Sequence, residues 1–343
     1  MRWMVYGVSG FTGALVARLA VERGERPVLA GRSAEKVRPL AERLGLEHRV
    51  FGLQDAERGL EGIDAVAHCA GPFSSTSRPM VDACLRTGAH YLDITGEIDV
   101  FEGIGRRHEE AVEAGVVLLP GIGFDVVPTD CVAAMLKRAL PTATHLDLAF
   151  VVQGGASAGT AQTAVEGSAF GGRARVGGEI RDVPLAHRRR VAHFRDRARG
   201  VGAIPWGDVS TAYRSTGIPN VTTFTTVPLG LGALQPLAAP LLRTPLAQRV
   251  GKALARRIGG PDERTRRGTR SEVFGEAWDG EGRRVRAALT GPNAYDLTAD
   301  SVVKAVHRLP AVPPGAHTPS SAFGSDYVRA LDGVVVSGPA EVG

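Results

Sequence analysis

Cysteine is scarce in this chain. There are three in 343 residues, Cys69, Cys84 and Cys131, an odd number without C-x-x-C spacing. That argues against a disulfide framework and a cysteine-based zinc site, and it fits a reducing compartment such as the cytoplasm. Lysine is scarcer than the basic total suggests. Only four of the 41 basic residues are Lys and the other 37 are Arg, against 36 acidic residues, for a net charge of +5. No nucleic-acid recognition motif accompanies this balance, so no nucleic-acid partner is expected. No apolar run reaches the ~18 residues of a membrane span, and stable membrane insertion is not expected. The first residues carry one Arg and a very short apolar run before a turn, which reads as a strand and not as a leader peptide. His90, His108 and His145 share no metal-like spacing, and no metal is expected.

What is present suffices for a large core. Hydrophobic residues make up 43% of the chain, and the length suits two domains or one α/β domain with an insertion. The first thirteen residues organise the rest. Trp3 to Tyr6 reads as a strand, and Gly7, Gly10 and Gly13 follow as G-x-x-G-x-x-G before a helix from Ala14 to Arg23. A strand turning tightly into a helix aims backbone N–H groups and the positive helix end at one spot, a seat for a pyrophosphate. Gly7, Ser9, Gly10, Phe11, Thr12 and Gly13 are therefore candidate dinucleotide contacts.

The next strand, Pro27 to Gly31, ends in Arg32-Ser33 with no acidic residue at its tip. An acid there would accept from the ribose 2′-hydroxyl of NAD, whereas an Arg pairs with the 2′-phosphate of NADP. Arg32 and Ser33, helped by Lys36, thus point to NADP(H). Asp55 lies where adenine edges are often met, although it could simply cap the short helix after it. Further strands are expected over 49–53, 64–70, 91–95 and 116–119, with helices over 33–44, after Phe73 and over 99–114. This alternation means a doubly wound parallel sheet, a Rossmann-type α/β fold over residues 1–125. Ala70, Gly71, Pro72 and Phe73, and then Thr95 and Gly96, fall at strand tips beside the expected nicotinamide.

After residue 125 the pattern changes to an α+β domain with a mainly antiparallel sheet, expected over 126–290. A helix spans Pro128 to Leu140, a strand His145 to Val152, and a hairpin Ser271 to Thr290 turns at Asp279-Gly280. The Arg-rich stretch from Arg173 to Arg199 reads as the solvated side of strands, and secondarily as a patch for an anionic substrate. Pro228 to Gln248 is apolar but broken by four prolines, which no single helix crosses intact. It reads as a lid, a tunnel mouth or a greasy surface. Residues 291–343 are expected to return to the first domain as helices, from Tyr295 to Leu309 and from Ser320 to Leu331.

Several strings together resemble the saccharopine dehydrogenase-like oxidoreductases, above all the bacterial trans-acting enoyl reductase branch. They are Gly7-Val-Ser-Gly-Phe-Thr-Gly13, Ala30-Gly-Arg32, Cys69-Ala-Gly-Pro-Phe73, Tyr91-Leu-Asp-Ile-Thr-Gly-Glu97 and Pro120-Gly-Ile-Gly-Phe-Asp-Val-Val-Pro-Thr-Asp130. The resemblance implies an NADP-binding Rossmann domain, an inserted second domain and hydride transfer. It does not imply one substrate, since members are described as acting on amino-acid-derived imines or on lipid-linked enoyl groups.

Reduction of C=C, C=N or C=O also needs a proton donor or an oxyanion stabiliser. No Tyr-x-x-x-Lys pair exists to supply one. Candidates are Asp93, Glu97, Asp125 and Thr160, with Thr95 beside them. Asp93 could instead brace neighbouring loops, Asp125 could cap the Pro128 helix, and a bound water could deliver the proton. His68, in an apolar strand, reads as a core residue; Phe73, Phe124 and Phe170 could line an apolar pocket but suit core packing better. The expected function is an NADPH-dependent reductase of a small molecule, with an enoyl or acyl substrate preferred over an imine. The alternative class is an NADP(H)-binding sensor or scaffold without turnover. A homodimer is a possible assembly.

Overall fold

A computed structural model describes residues 1–161, 171–227, 244–255 and 258–342. Two compact units are present: Met1–Asp125 with Tyr295–Phe323, and Val126–Ala294 with Gly324–Gly343.

The first unit is built on a parallel sheet. Its strands are β1 (Trp3–Tyr6), β2 (Val28–Gly31), β3 (His48–Val50), β4 (Ala65–His68), β5 (His90–Asp93) and β6 (Val117–Leu119), in the order β3-β2-β1-β4-β5-β6. The short strand Gly315–Ala316 adds in parallel beyond β6. Every residue of β1, β2 and β4 is buried, as the continuous apolar runs require when helices cover both faces. The chain winds outward from β1 to β3, then crosses back to β4 on the other side of β1. This reversal opens a crevice at the carboxyl ends of β1 and β4.

The helix Ala294–Arg308 supplies the returning segment of this unit. Tyr295 meets the Phe11 ring edge-on at 4.9 Å, Asp300 pairs with Arg23 at 2.6 Å, and His307 pairs with Glu25. The return is shorter than expected. A helix at Pro319–Phe323 stops at Gly324, whose φ of +83° no α-helix accommodates, and a 3₁₀ turn follows over Ser325–Ala330. Residues from Gly324 onward belong to the second unit, where the strand Val335–Glu341 pairs antiparallel with Arg284–Gly291. The sequence hid this strand because Gly338-Pro339 interrupts it, and an edge strand tolerates such a break. The expected single helix over 99–114 is also two, Ile98–Gly105 and His108–Glu113.

The second unit contains β7 (His145–Val152), β8 (Gly172–Val176), β9 (Glu179–Val183), β10 (Arg189–His193), β11 (Ala198–Ile204), β12 (Asn220–Thr225), β13 (Ser271–Trp278) and β14 (Arg284–Gly291). They form a mixed sheet in the order β10-β11-β12-β7-β13-β14 and then the terminal strand, with β8 and β9 off β12. Only β7 and β12 run parallel among these pairs. Residues 162–170 and 228–243, including Phe170 and most of the proline-broken stretch, lie outside the described residues.

The Arg-rich stretch is not merely solvated. Register puts Asp147 of β7 directly opposite Glu276 of β13, and both are buried. Arg188 grips Asp147 with two bonds, at 2.8 and 2.9 Å, and Arg190 bridges Asp147 to Glu276. Arg284 and Arg286 complete the shell around Glu276 at 3.0 and 3.3 Å. Arg175 is buried too, its guanidinium 4.2 Å above the Tyr213 ring and bonded to the Gly178 carbonyl at 2.6 Å. Arginine suits these sites because its planar fork satisfies several acceptors at once.

Burial alone would raise the Glu276 carboxyl, but the Arg190 contact, with Arg284 and Arg286, outweighs it and holds the group at about 2. Its folded value lies below the unfolded one, so its stabilisation is present above the ordinary Glu range and lost as pH falls toward 2. Thermal melts should therefore show stability falling between about pH 4.5 and 2. Glu276→Ala should cost about 3–5 kcal/mol at neutral pH, because it strands desolvated guanidinium groups.

Candidate functional site

The site grows from the β1 turn. Gly7 adopts a φ of +93°, and its N–H donates to the Ala30 carbonyl at 2.8 Å, tying the tips of β1 and β2. A side-chain carbon on Gly7 would lie 2.8 Å from the Ala70 nitrogen, and one on Gly13 would lie 2.5 Å from the Gly7 carbonyl oxygen. Two of the three glycines are therefore demanded by the protein's own backbone. Gly10 is exposed and starts the helix Phe11–Glu22, which has no side-chain cap and no acidic residue in its first turn. Ser9 is exposed beside it, and Phe11 and Thr12 are half-buried. Such an end attracts an anion.

Arg32 stands exposed at the tip of β2, and among the described residues neither it nor Lys36 is held in an ion pair. Ser33 occupies the N-cap of the helix Ala34–Leu44, yet its hydroxyl does not cap it. Asp55 likewise leaves the helix after it uncapped; it is exposed and, among the described residues, its side chain accepts only from the Gln54 amide, at 3.0 Å. The local reading of Asp55 as a cap is thereby removed.

Beyond β4, the Ala70-Gly71-Pro72-Phe73 loop leads into the helix Phe73–Thr87. That helix end is sealed. The Glu97 carboxylate accepts from the N–H groups of Phe73 at 2.9 Å and Ser74 at 2.7 Å. The helix ends on either side of the β1/β4 reversal thus differ: the one after β4 is closed by a carboxylate, and the one after β1 has no side-chain cap. Thr76 secures the same loop from within, through its hydroxyl and the carbonyls of Ala70 (2.7 Å) and Pro72 (3.1 Å). Its single proton goes to a carbonyl, so the buried His68 Nε2, 3.0 Å away, is the donor in their contact. Burial lowers the His68 imidazole to about 3, and it stays neutral in the core, as its apolar strand implied.

The three carboxyl candidates of this unit occupy different environments. Asp93 is buried and accepts from the Tyr91 hydroxyl (2.7 Å) and the N–H groups of Thr95 (2.9 Å) and Gly121 (2.8 Å). Burial raises it to about 6, against the pull of those three donors. It braces the tips of β5 and β6. Thr95, fully buried, accepts from the Glu97 N–H at 3.1 Å. Asp125 is different. It is half-buried, it precedes the Val126 N-cap of the Val127–Ala139 helix, and burial raises its carboxyl to about 7. Its Oδ2 lies 3.1 Å from where a side-chain carbon on Gly96 would stand. Such a group exchanges protons near neutral pH. Thr160 lies in the second unit, exposed, with its N–H and hydroxyl 3.3 and 3.2 Å from Ser157 Oγ.

Tyr91, Thr76 and Thr298 escaped the sequence reading. Tyr91 had a signal, since residues two apart in a strand share a face with Asp93. Thr298 had none: it accepts from the Phe124 N–H at 2.9 Å across 174 residues of chain. Among the described residues no three His, Cys, Asp or Glu gather to hold a metal ion, and no helix is long and apolar enough to cross a membrane.

Comparison with known proteins agrees with this geometry. Residues 3–119 match the family model described as the saccharopine dehydrogenase NADP binding domain. A trans-acting enoyl reductase of Mycobacterium leprae is 35% identical over 146 residues, 39% of this chain and 35% of that protein. One of Mycobacterium bovis is 32% identical over the same length. The matched segment spans about a third of the length of these relatives. Saccharopine dehydrogenase (L-Glu forming) of Saccharomyces cerevisiae shares the fold, with a TM-score of 0.64 over 98% of this chain and 100% of that one, at 12% identity.

The Glu97 cap can be tested by mutation. Glu97→Ala should destabilise the first unit by about 0.5–2 kcal/mol, the usual worth of a cap. Glu97→Gln, which keeps one acceptor oxygen, should recover part of it. Denaturant melts that show no loss for Glu97→Ala would exclude the capping role.

Proposed function

With a saccharopine dehydrogenase-type NADP-binding domain over residues 3–119 as the premise, we propose that this protein is an NADPH-dependent reductase of a small-molecule C=C, C=N or C=O group, with an enoyl or acyl substrate preferred. One observation carries the reading: an uncapped, glycine-lined helix end shares the carboxyl edge of one sheet with a carboxyl raised to about 7. The enoyl preference comes from the named activity of the matched relatives.

The residues divide the work. The N–H groups at Gly10 to Gly13 receive the pyrophosphate. Arg32, Ser33 and Lys36 hold the 2′-phosphate, and Asp55 meets the adenine side. Ala70 to Phe73, Thr95 and Gly96 form the floor beside the nicotinamide. When bound, NADPH supplies a hydride. Asp125 supplies the proton to the atom that gains the electron pair of the reduced bond. Asp93 and Glu97 keep the strand tips and the loop in place around it.

Two measurements test the assignment. Arg32→Ala should weaken NADPH binding by about tenfold to a hundredfold, the worth of a lost charged hydrogen bond, and leave NADH binding unchanged. Equal affinity of the unaltered protein for both cofactors would sink the cofactor roles. With an enoyl thioester, imine and ketone panel, NADPH oxidation should be constant below pH ~7 and fall above it, as Asp125 deprotonates. Asp125→Asn should reduce kcat by about 10²–10⁴ without altering NADPH affinity. Binding of NADPH with no turnover of any panel member would favour a sensor.

A further inference from the structure

The helix Pro245–Ala255 in the second unit turns an apolar stripe to solvent. Leu246, Val250 and Leu254 recur every four residues and are 72%, 51% and 58% exposed. Ile258, outside the helix, is also exposed, at 42%. Four-residue spacing keeps such residues on one side of a helix. Single exposed apolar residues are ordinary on a protein surface, whereas three in register on one helix need a partner. Ala255, on another side of the helix, is buried and anchors it.

The sequence around this helix carries charge of mainly one sign. From Thr244 to Arg270 the sequence has eight basic residues and only two acidic ones, Asp262 and Glu263. Arg249 is exposed on the same helix, and Arg264, Arg267 and Arg270 are exposed on the helix Glu263–Gly268 and just after it. Glu263 offsets Arg267 alone, in an i, i+4 pair.

We propose that this helix is a docking surface for an anionic lipid bilayer, lying in the plane of the interface. The stripe enters the boundary between head groups and acyl chains, and the flanking guanidinium groups meet lipid phosphates. A second copy of the chain is a poorer occupant, since a two-fold contact would bring the same basic surplus against itself. The contact is reversible, because the helix is too short to span. This proposal does not rest on the reductase reading.

The test is co-sedimentation of the full-length protein with vesicles of phosphatidylcholine, alone or with a third of the lipid replaced by phosphatidylglycerol. The expected result is binding to the anionic vesicles that added salt weakens. The double variant Leu246→Asp, Leu254→Asp should lose binding while keeping its thermal melt. Arg249→Glu, which spares the stripe, should weaken binding by about fivefold or more, from ~1 kcal/mol per basic residue. The proposal is overturned if the protein ignores anionic vesicles or if both variants bind like the parent. It is also overturned if sedimentation equilibrium shows a dimer that the double variant dissolves, without vesicle binding.

Discussion

The first unit depends on a close meeting of backbones at Gly7. Its N–H is spent on Ala30 at the tip of β2, its α-carbon faces Cys69 and Ala70 after β4, and its carbonyl lies under Gly13 of the following helix. No side-chain carbon fits among these segments. That packing brings three strand tips together at the crevice and leaves the helix end at Gly10 open to an anion. The proposed cofactor seat is therefore a consequence of how the sheet closes, with Arg32 exposed at the tip of β2.

Electrostatics then sorts groups that look alike. Asp93, Glu97 and Asp125 are carboxylic acids near the ends of β5 and β6, yet their surroundings separate them. Asp93 is surrounded by three donors and holds loops. Glu97 satisfies two backbone N–H groups and, with its negative charge, closes the second helix end to anions. Asp125 is raised to about 7 by burial, and so stays protonatable near neutrality. This division leaves the helix end after β1 without a side-chain cap and one carboxyl able to exchange a proton near neutral pH.

The second unit solves a different problem. Two acids on neighbouring strands are buried face to face, which is tolerable only because arginines from β14 and from Arg188 and Arg190 enclose them. Removing Arg190, the one guanidinium that reaches both acids, would leave each with fewer counter-charges in a buried setting. The abundance of Arg over Lys has a structural use here, since one guanidinium can bridge Asp147 and Glu276 while a lysine ammonium offers no such planar fork.

The strand–helix alternation from β1 to β6, the G-x-x-G-x-x-G turn and the non-acidic tip at Arg32 were legible in the residues alone. These are local features: unbroken apolar runs demand a doubly covered strand, and glycine spacing demands a tight strand-to-helix turn. The sequence did not reveal the terminal strand, whose Gly338-Pro339 reads as an ending, nor the burial of Arg175 and Asp147, which only sheet register creates. Nor could it rank the carboxyl groups. A side chain's proton affinity is set by partners that arrive from elsewhere in the chain: Gly121 for Asp93, Phe73 and Ser74 for Glu97, and the enclosing packing for Asp125. The sequence fixes which acids exist; only the tertiary structure decides which are braces, which is a cap and which can exchange a proton, because desolvation and hydrogen bonding act through space and not along the chain.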